Sequence, residues 1–120
     1  MKLVIVDTSV WIYHFKKSDT HLIELLSQGL VLMHPFVYLE LYLGRPSKKN
    51  EIFDKLRVLP SVLTPNQSTM TKHIDKFHFN GIGLIDVSLI VSALEANAEI
   101  YTLDKKLKAQ WLRARGTTHR

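Results

Sequence analysis

Four acidic residues stand where this chain can do chemistry: Asp7, Glu40, Asp86 and Asp104. Asp7 directly follows Lys2–Val6, a short apolar, β-branched run that reads as a buried strand. Asp104 directly follows a second such run, Glu99–Leu103. In a parallel sheet both would project from the carboxyl edge, where the sites of α/β proteins gather. Asp86 opens an apolar helix after the glycine-broken stretch Asn80-Gly81-Ile82-Gly83, which has to pass over that edge. Glu40 lies one turn into a helix beginning at Pro35, between Leu39 and Leu41, and a carboxylate among apolar residues is costly to bury unless it is paired or bound to a metal. Carboxylates converging on one spot repel each other, and without a cation between them some would be protonated. An all-oxygen set suits Mg²⁺ or Mn²⁺, which take carboxylates, water and phosphate oxygens. Such an ion acidifies a water and stabilises charge on a phosphodiester; two of them, roughly 3.5–4 Å apart, would clamp the attacking and leaving oxygens. The chemistry implied is hydrolysis of a phosphodiester with water as the nucleophile.

Each acid also has a purely structural use. Asp7 could cap the first helix, and Asp86 could cap its own. Asp104 could close a turn into the Lys-rich last helix. Glu40 could pair with Arg45 or Lys48. None of these uses accounts for all four falling where a single pocket would lie.

The elements that must position them alternate between strand and helix. Asp7-Thr8-Ser9 supplies capping chemistry before a helix over Val10–Lys16. A second helix is expected over Thr20–Gln28, with Leu22, Leu25 and Leu26 on one face and Gly29 ending it. Leu30–Met33 reads as a strand, and Pro35–Leu43 as a helix stopped by Gly44 and Pro46. Ser47–Leu59 reads as a helix capped by Ser47, with Ile52, Phe53 and Leu56 inward. Ser61–Thr64 is expected as a minor strand and Asn66–Phe79 as a helix. The helix from Asp86 should run to about Asn97. Lys105–Arg115 reads as a basic amphipathic helix and Gly116–Arg120 as a frayed tail. The pattern predicts an α/β layer fold on a mainly parallel sheet, with residues 1–120 forming one domain.

Composition narrows the setting. Of 120 residues, 46% are hydrophobic and 22% charged, the balance of a globular protein with a core of its own. No run approaches the roughly 20 apolar residues of a membrane helix. The opening Met-Lys-Leu-Val-Ile-Val-Asp reaches an acid too soon for a secretory signal, so a soluble cytoplasmic protein is expected. With no cysteine, disulfides and thiolate metal sites are excluded. The net charge of +5 suits an anionic partner such as nucleic acid.

Around the four acids stand longer words: Val-Asp-Thr-Ser-Val-Trp-Ile at Val6–Ile12, His-Pro-Phe-Val-Tyr-Leu-Glu-Leu at His34–Leu41, Gly-Ile-Gly-Leu-Ile-Asp-Val-Ser-Leu-Ile-Val-Ser-Ala-Leu at Gly81–Leu94, and Tyr-Thr-Leu-Asp-Lys-Lys-Leu at Tyr101–Leu107. In this order, across nearly the whole chain, they resemble the PIN-domain ribonucleases, and specifically the VapC-type toxins of toxin–antitoxin pairs. The resemblance implies a PIN-like fold, a mainly parallel sheet of four or five strands flanked by helices. It implies a Mg²⁺-dependent endoribonuclease, with Mn²⁺ an alternative, that cuts tRNA or rRNA and halts translation and growth. It further implies a VapB-like antitoxin whose tail crosses the active-site groove, and a homodimer. Asp7, Asp86 and Asp104 would be metal ligands, and Glu40 a ligand or a group that orients water. Some relatives carry a further acid shortly after the fourth, where this chain has Lys105 and Lys106. A catalytically idle PIN module that binds RNA or protein, and a nuclease of RNA processing, are the other readings.

Ser9 could bond a carboxylate or cap the first helix. Lys105, Lys106, Lys108, Arg113 and Arg115 form either a rim for RNA backbone beside Asp104 or a solvated face. Trp11, Tyr13, Phe15, Phe36, Tyr38 and Tyr42 read as packing, with partner contact as a second use. The six histidines lack zinc-site spacing, and Gly81-Ile82-Gly83 lacks the lysine of a phosphate loop.

Overall fold

A computed structural model describes residues 1–118. Three parallel strands, β1 (Val4–Val6), β2 (Val31–Leu32) and β3 (Glu99–Tyr101), pair in the order β2-β1-β3. The register sets Val4 opposite Val31 on one side and Val6 opposite Tyr101 on the other. Against the four or five strands expected, there are three among the described residues. The missing strand is the stretch after Pro60, which makes only one parallel bridge, Ser61 to Met33. Pro60 and Pro65 bracket it, and a proline has no N–H to offer a ladder.

The helices are α1 (Thr8–Lys17), α2 (Thr20–Ser27), α3 (Pro35–Leu43), α4 (Lys49–Leu56), α5 (Gln67–Phe77), α6 (Leu84–Ala96) and α7 (Lys105–Thr118). α2 starts where the Asp19 carboxylate accepts the Leu22 N–H at 2.8 Å and stops before Gly29, whose φ of +68° suits glycine. α3 occupies its expected span, opened by Pro35 in the first turn. α4 starts at Lys49, not Ser47, because Lys48 takes a left-handed conformation with φ +57° and Ser47 makes no cap. α5 is capped by Asn66, whose side chain accepts the Thr69 N–H at 2.9 Å, and ends at His78. α7 runs through Gly116, in place of the expected tail; residues 119–120 lie outside the described part of the chain.

The core surrounds the sheet, drawing on α1, α2, α3 and α4 as well as α6, whose residues Val87–Ala93 are all buried. α6 is therefore buried on every side over this stretch, with α5, α7 and the sheet packed around it and two buried serines, Ser88 and Ser92, among its apolar residues. Ile5, Val6, Leu22, Val37, Leu89, Ile90 and Leu107 have no exposed surface. Removing one such side chain from water is worth about 1.5–3 kcal/mol, so this cluster fixes the layers. Among the described residues no helix is long and apolar enough to cross a membrane.

Candidate active site

The adjacency of β1 and β3 places Asp7 beside Thr102 at the carboxyl edge of the sheet, and the Asp7 N–H donates to the Tyr101 carbonyl at 2.9 Å. Asp7 is the residue before α1, yet its side chain makes no capping bond. Its Oδ2 instead accepts the Ser9 hydroxyl at 2.8 Å and the Thr102 hydroxyl at 2.7 Å. Of the two uses open to each residue, Asp7 and Ser9 take the one that fixes a carboxylate at the sheet edge. Ser9 also accepts the Leu103 N–H at 3.1 Å, and Thr102 the Asp104 N–H at 3.0 Å, so the ends of β1 and β3 are cross-braced.

Asp104 does cap its helix: one oxygen, Oδ1, accepts the N–H groups of Lys106 at 2.8 Å and Leu107 at 3.0 Å. Glu40, half-buried on α3, accepts the Thr8 hydroxyl at 2.6 Å through Oε1. Among the described residues it forms no ion pair with Arg45 or Lys48. Asp86 is not the first residue of its helix. Gly83 is the cap, and Asp86 sits in the first turn of α6.

Asp86 senses the other three acids. Burial, followed by the charges of Asp7, Asp104 and Glu40, pushes the Asp86 carboxyl up from its ordinary 3.8 to about 6. That coupling is the observation that brings all four together. Asp7, Asp86 and Asp104 also lie at the amino ends of α1, α6 and α7, where helix dipoles favour negative charge.

Among the described residues, no three Asp, Glu or His side chains are grouped so as to hold a metal ion. The donor set nonetheless fits a hard divalent cation. Asp7, Glu40 and Asp104 each spend one carboxylate oxygen on protein donors, and among the described residues the second oxygen receives none. An oxygen-only set with one free oxygen per carboxylate is what Mg²⁺ or Mn²⁺ takes.

A PIN-domain family profile matches residues 4–110. The chain belongs to the PIN-domain family. At 36% identity over 110 residues, 89% of either chain, it is similar to Ribonuclease VapC32 of Mycobacterium tuberculosis, in the strains CDC 1551 / Oshkosh and H37Rv. It is a VapC-type member. The crystal structure of PAE2754 from Pyrobaculum aerophilum has the same fold, with a TM-score of 0.63 at 13% identity, covering 96% of this chain and 90% of that one.

Thr8 and Thr102 are site residues that sequence reasoning passes over. Thr102 stands two positions before Asp104 and Thr8 directly after Asp7, and those placements are the only signal the chain offers for them. Of the basic residues on α7, Arg113 is committed to structure. Its guanidinium donates to the Phe77 carbonyl at 2.6 Å, and Arg115 lies 3.2 Å from Glu99. Lys105, Lys106 and Lys108 are exposed beside Asp104.

Proposed function

We propose that this VapC-type protein is a divalent-metal-dependent endoribonuclease, the toxin of a toxin–antitoxin pair, and that residues 1–120 act as one catalytic domain. The observation that carries the reading is the carboxyl edge itself: Ser9 and Thr102 hold one Asp7 oxygen at 2.8 and 2.7 Å and Thr8 holds one Glu40 oxygen at 2.6 Å, while Asp86 senses the charges of Asp7, Asp104 and Glu40. A stable fold gains nothing from four carboxylates arranged this way; a cation site does. The name of VapC32 supports ribonuclease chemistry.

In this reading Asp7, Asp86 and Asp104 hold Mg²⁺ or Mn²⁺, and Glu40 holds the ion or orients water. When bound, the ion would withdraw charge from the scissile phosphate and acidify the attacking water. The chain does the positioning. Ser9 and Thr102 turn the free oxygen of Asp7 toward the site by occupying the other, and Thr8 does so for Glu40. Lys105, Lys106 and Lys108 hold the RNA backbone. The water oxygen bonds to phosphorus as the bond to the 3′ oxygen breaks, leaving a 5′-phosphate and a 3′-hydroxyl. Cleavage of tRNA or rRNA would stop translation and growth.

For the antitoxin, a groove of about 760 Å³ runs between α1, α3 and α4. Its floor includes Trp11, Leu41 and Ile52, its rim Lys16 and Lys48, and it reaches Glu40. An amphipathic segment with acidic groups toward Lys16 and Lys48 would fit it, with a basic side chain at its Glu40 end. A homodimer is part of the same reading by family likeness.

Induced expression without antitoxin tests the proposal. Wild type is expected to arrest growth and Asp7→Asn is not, with new 5′-phosphate RNA ends in arrested cells. Arrest by both would remove the metal site from the explanation. Arrest by neither, with soluble protein present, would favour an idle binding module or a processing nuclease.

A further inference from the structure

His34 is buried with no exposed surface, and nothing in the proposed chemistry uses it. It is the residue before α3, and its Nδ1 accepts the Phe36 N–H at 3.0 Å. A ring nitrogen that accepts from a backbone N–H carries no proton, so the neutral ring holds its proton on Nε2. That atom lies 3.2 Å from the Ser88 hydroxyl, which is also buried. The cap therefore selects the tautomer, and the tautomer makes Nε2 the donor to Ser88.

The two ends of this bridge belong to different acid-bearing helices. Glu40 lies farther along α3 from His34, and Ser88 lies in α6 just beyond Asp86. α3 packs chiefly on α1, whereas α6 packs on α5, α7 and the sheet. Among the described residues α3 and α6 are not a closely packed pair, so the imidazole is a direct polar link between them. An Asn, Asp or Ser would serve as well at the cap alone. A buried ring with both nitrogens engaged is needed only if the second bond matters.

Resting on the four-acid reading above, we infer that His34 is a positioning residue: through Ser88 it fixes the Glu40 helix against the Asp86 helix, and so the spacing of two carboxylates around the cation.

The test is direct Mn²⁺ binding to the purified full chain, followed by the electron paramagnetic resonance signal of free Mn²⁺. Mg²⁺ titration of RNA cleavage runs beside it. Ser88→Ala removes the hydroxyl that meets Nε2 and leaves the cap. His34→Asn keeps a cap acceptor and is too short to reach Ser88. Each is expected to weaken Mn²⁺ binding about tenfold, the lower end of the effect of groups that orient metal ligands. The Mg²⁺ needed for half-maximal cleavage should rise by the same factor. Ser88→Thr, which keeps the hydroxyl, should bind like wild type. The double variant should be no weaker than the weaker single, since both break one bond. Helical circular dichroism confirms folding, and if Ser88→Ala does not fold, His34→Asn and Ser88→Thr decide the matter. Wild-type binding that Asp86→Asn abolishes but His34→Asn leaves intact overturns the positioning role alone. Wild-type binding indifferent to Asp86→Asn overturns the four-acid reading, and the positioning role with it.

Discussion

Asp86→Asn should make the metal-free protein more stable while removing its activity. The Asp86 carboxyl is raised from 3.8 to about 6. The folded chain therefore holds this proton more tightly than the unfolded chain does. The penalty for ionising Asp86 is absent below pH 3.8, grows between 3.8 and 6, and is complete above 6. A shift of this size corresponds to at most about 3 kcal/mol, at roughly 1.4 kcal/mol per pH unit. Asn keeps the shape and loses the charge, though its amide still has to be desolvated, so a gain of about 1–2 kcal/mol is the reasonable expectation. At roughly 4 °C per kcal/mol for a domain of this size, the melting temperature should rise about 4–8 °C.

The assay is thermal unfolding of both proteins in excess chelator, at pH 7.5 and near pH 4. The variant should melt higher at pH 7.5, and the difference should close near pH 4. Adding Mg²⁺ at pH 7.5 should reverse the order, because a ligand at a hundredfold its dissociation constant adds about 2.7 kcal/mol to the protein that binds it. Two outcomes would sink the reasoning. One is a variant that melts at or below wild type in chelator at pH 7.5. The other is a difference that does not change with pH, since charge repulsion at Asp86 could not then be its source.

Three further outcomes follow from single interactions. Burial pushes His34 down from 6.5 to about 4, so the folded state resists a proton that the unfolded state accepts; its contribution is intact above pH 6.5 and falls away toward pH 4, by up to about 3 kcal/mol. Denaturant midpoints at pH 7 and 4.5 should differ less in His34→Asn than in wild type, and equal differences would contradict this. Thr8→Ala frees the Glu40 oxygen held at 2.6 Å and should cut RNA cleavage about tenfold while costing no more than roughly 1 kcal/mol in urea unfolding; full activity would mean that Glu40 needs no holding. Lys105→Ala with Lys108→Ala should lower the salt dependence of single-stranded RNA binding by about 0.7 in log–log slope for each phosphate left without its lysine, and an unchanged slope would place the RNA elsewhere.

The sequence is most legible where one local rule decides. Pro35 at a first turn and Gly44 past the last apolar residue bound α3 as they should. The β-branched runs before Asp7 and Asp104 are strands, although each is shorter than its apolar stretch. Legibility fails where backbone conformation overrides side-chain chemistry. Ser47 is a better cap than Lys48 by type, yet the left-handed turn at Lys48 sets the start of α4. Asp86 looks like a cap and sits inside its helix, because a glycine with no capping side chain opens α6. Asp7 and Asp104 are readable from their place after strands, Glu40 and Asp86 from the sequence words around them. Of their holders only Ser9, two residues from Asp7, is readable; Thr8 reaches Glu40 across 32 residues and Thr102 reaches Asp7 across 95. No periodicity reports a hydrogen bond of that span.

The energetics of the carboxyl edge are those of a site left unfinished by the protein alone. Three helix amino ends face Asp7, Asp86 and Asp104, and each offers a carboxylate about 0.3–1 kcal/mol. Four hydroxyl and backbone donors could satisfy more of the lone pairs, yet they crowd onto one oxygen each of Asp7 and Asp104. Against this support, burial and the neighbouring charges still leave Asp86 raised to about 6. A chain selected for stability alone would end the conflict with Asn or Leu at that position, as stability and site chemistry commonly oppose each other. Retaining four acids, with their hydrogen bonds confined to one side, leaves a deficit of positive charge that a divalent cation can fill.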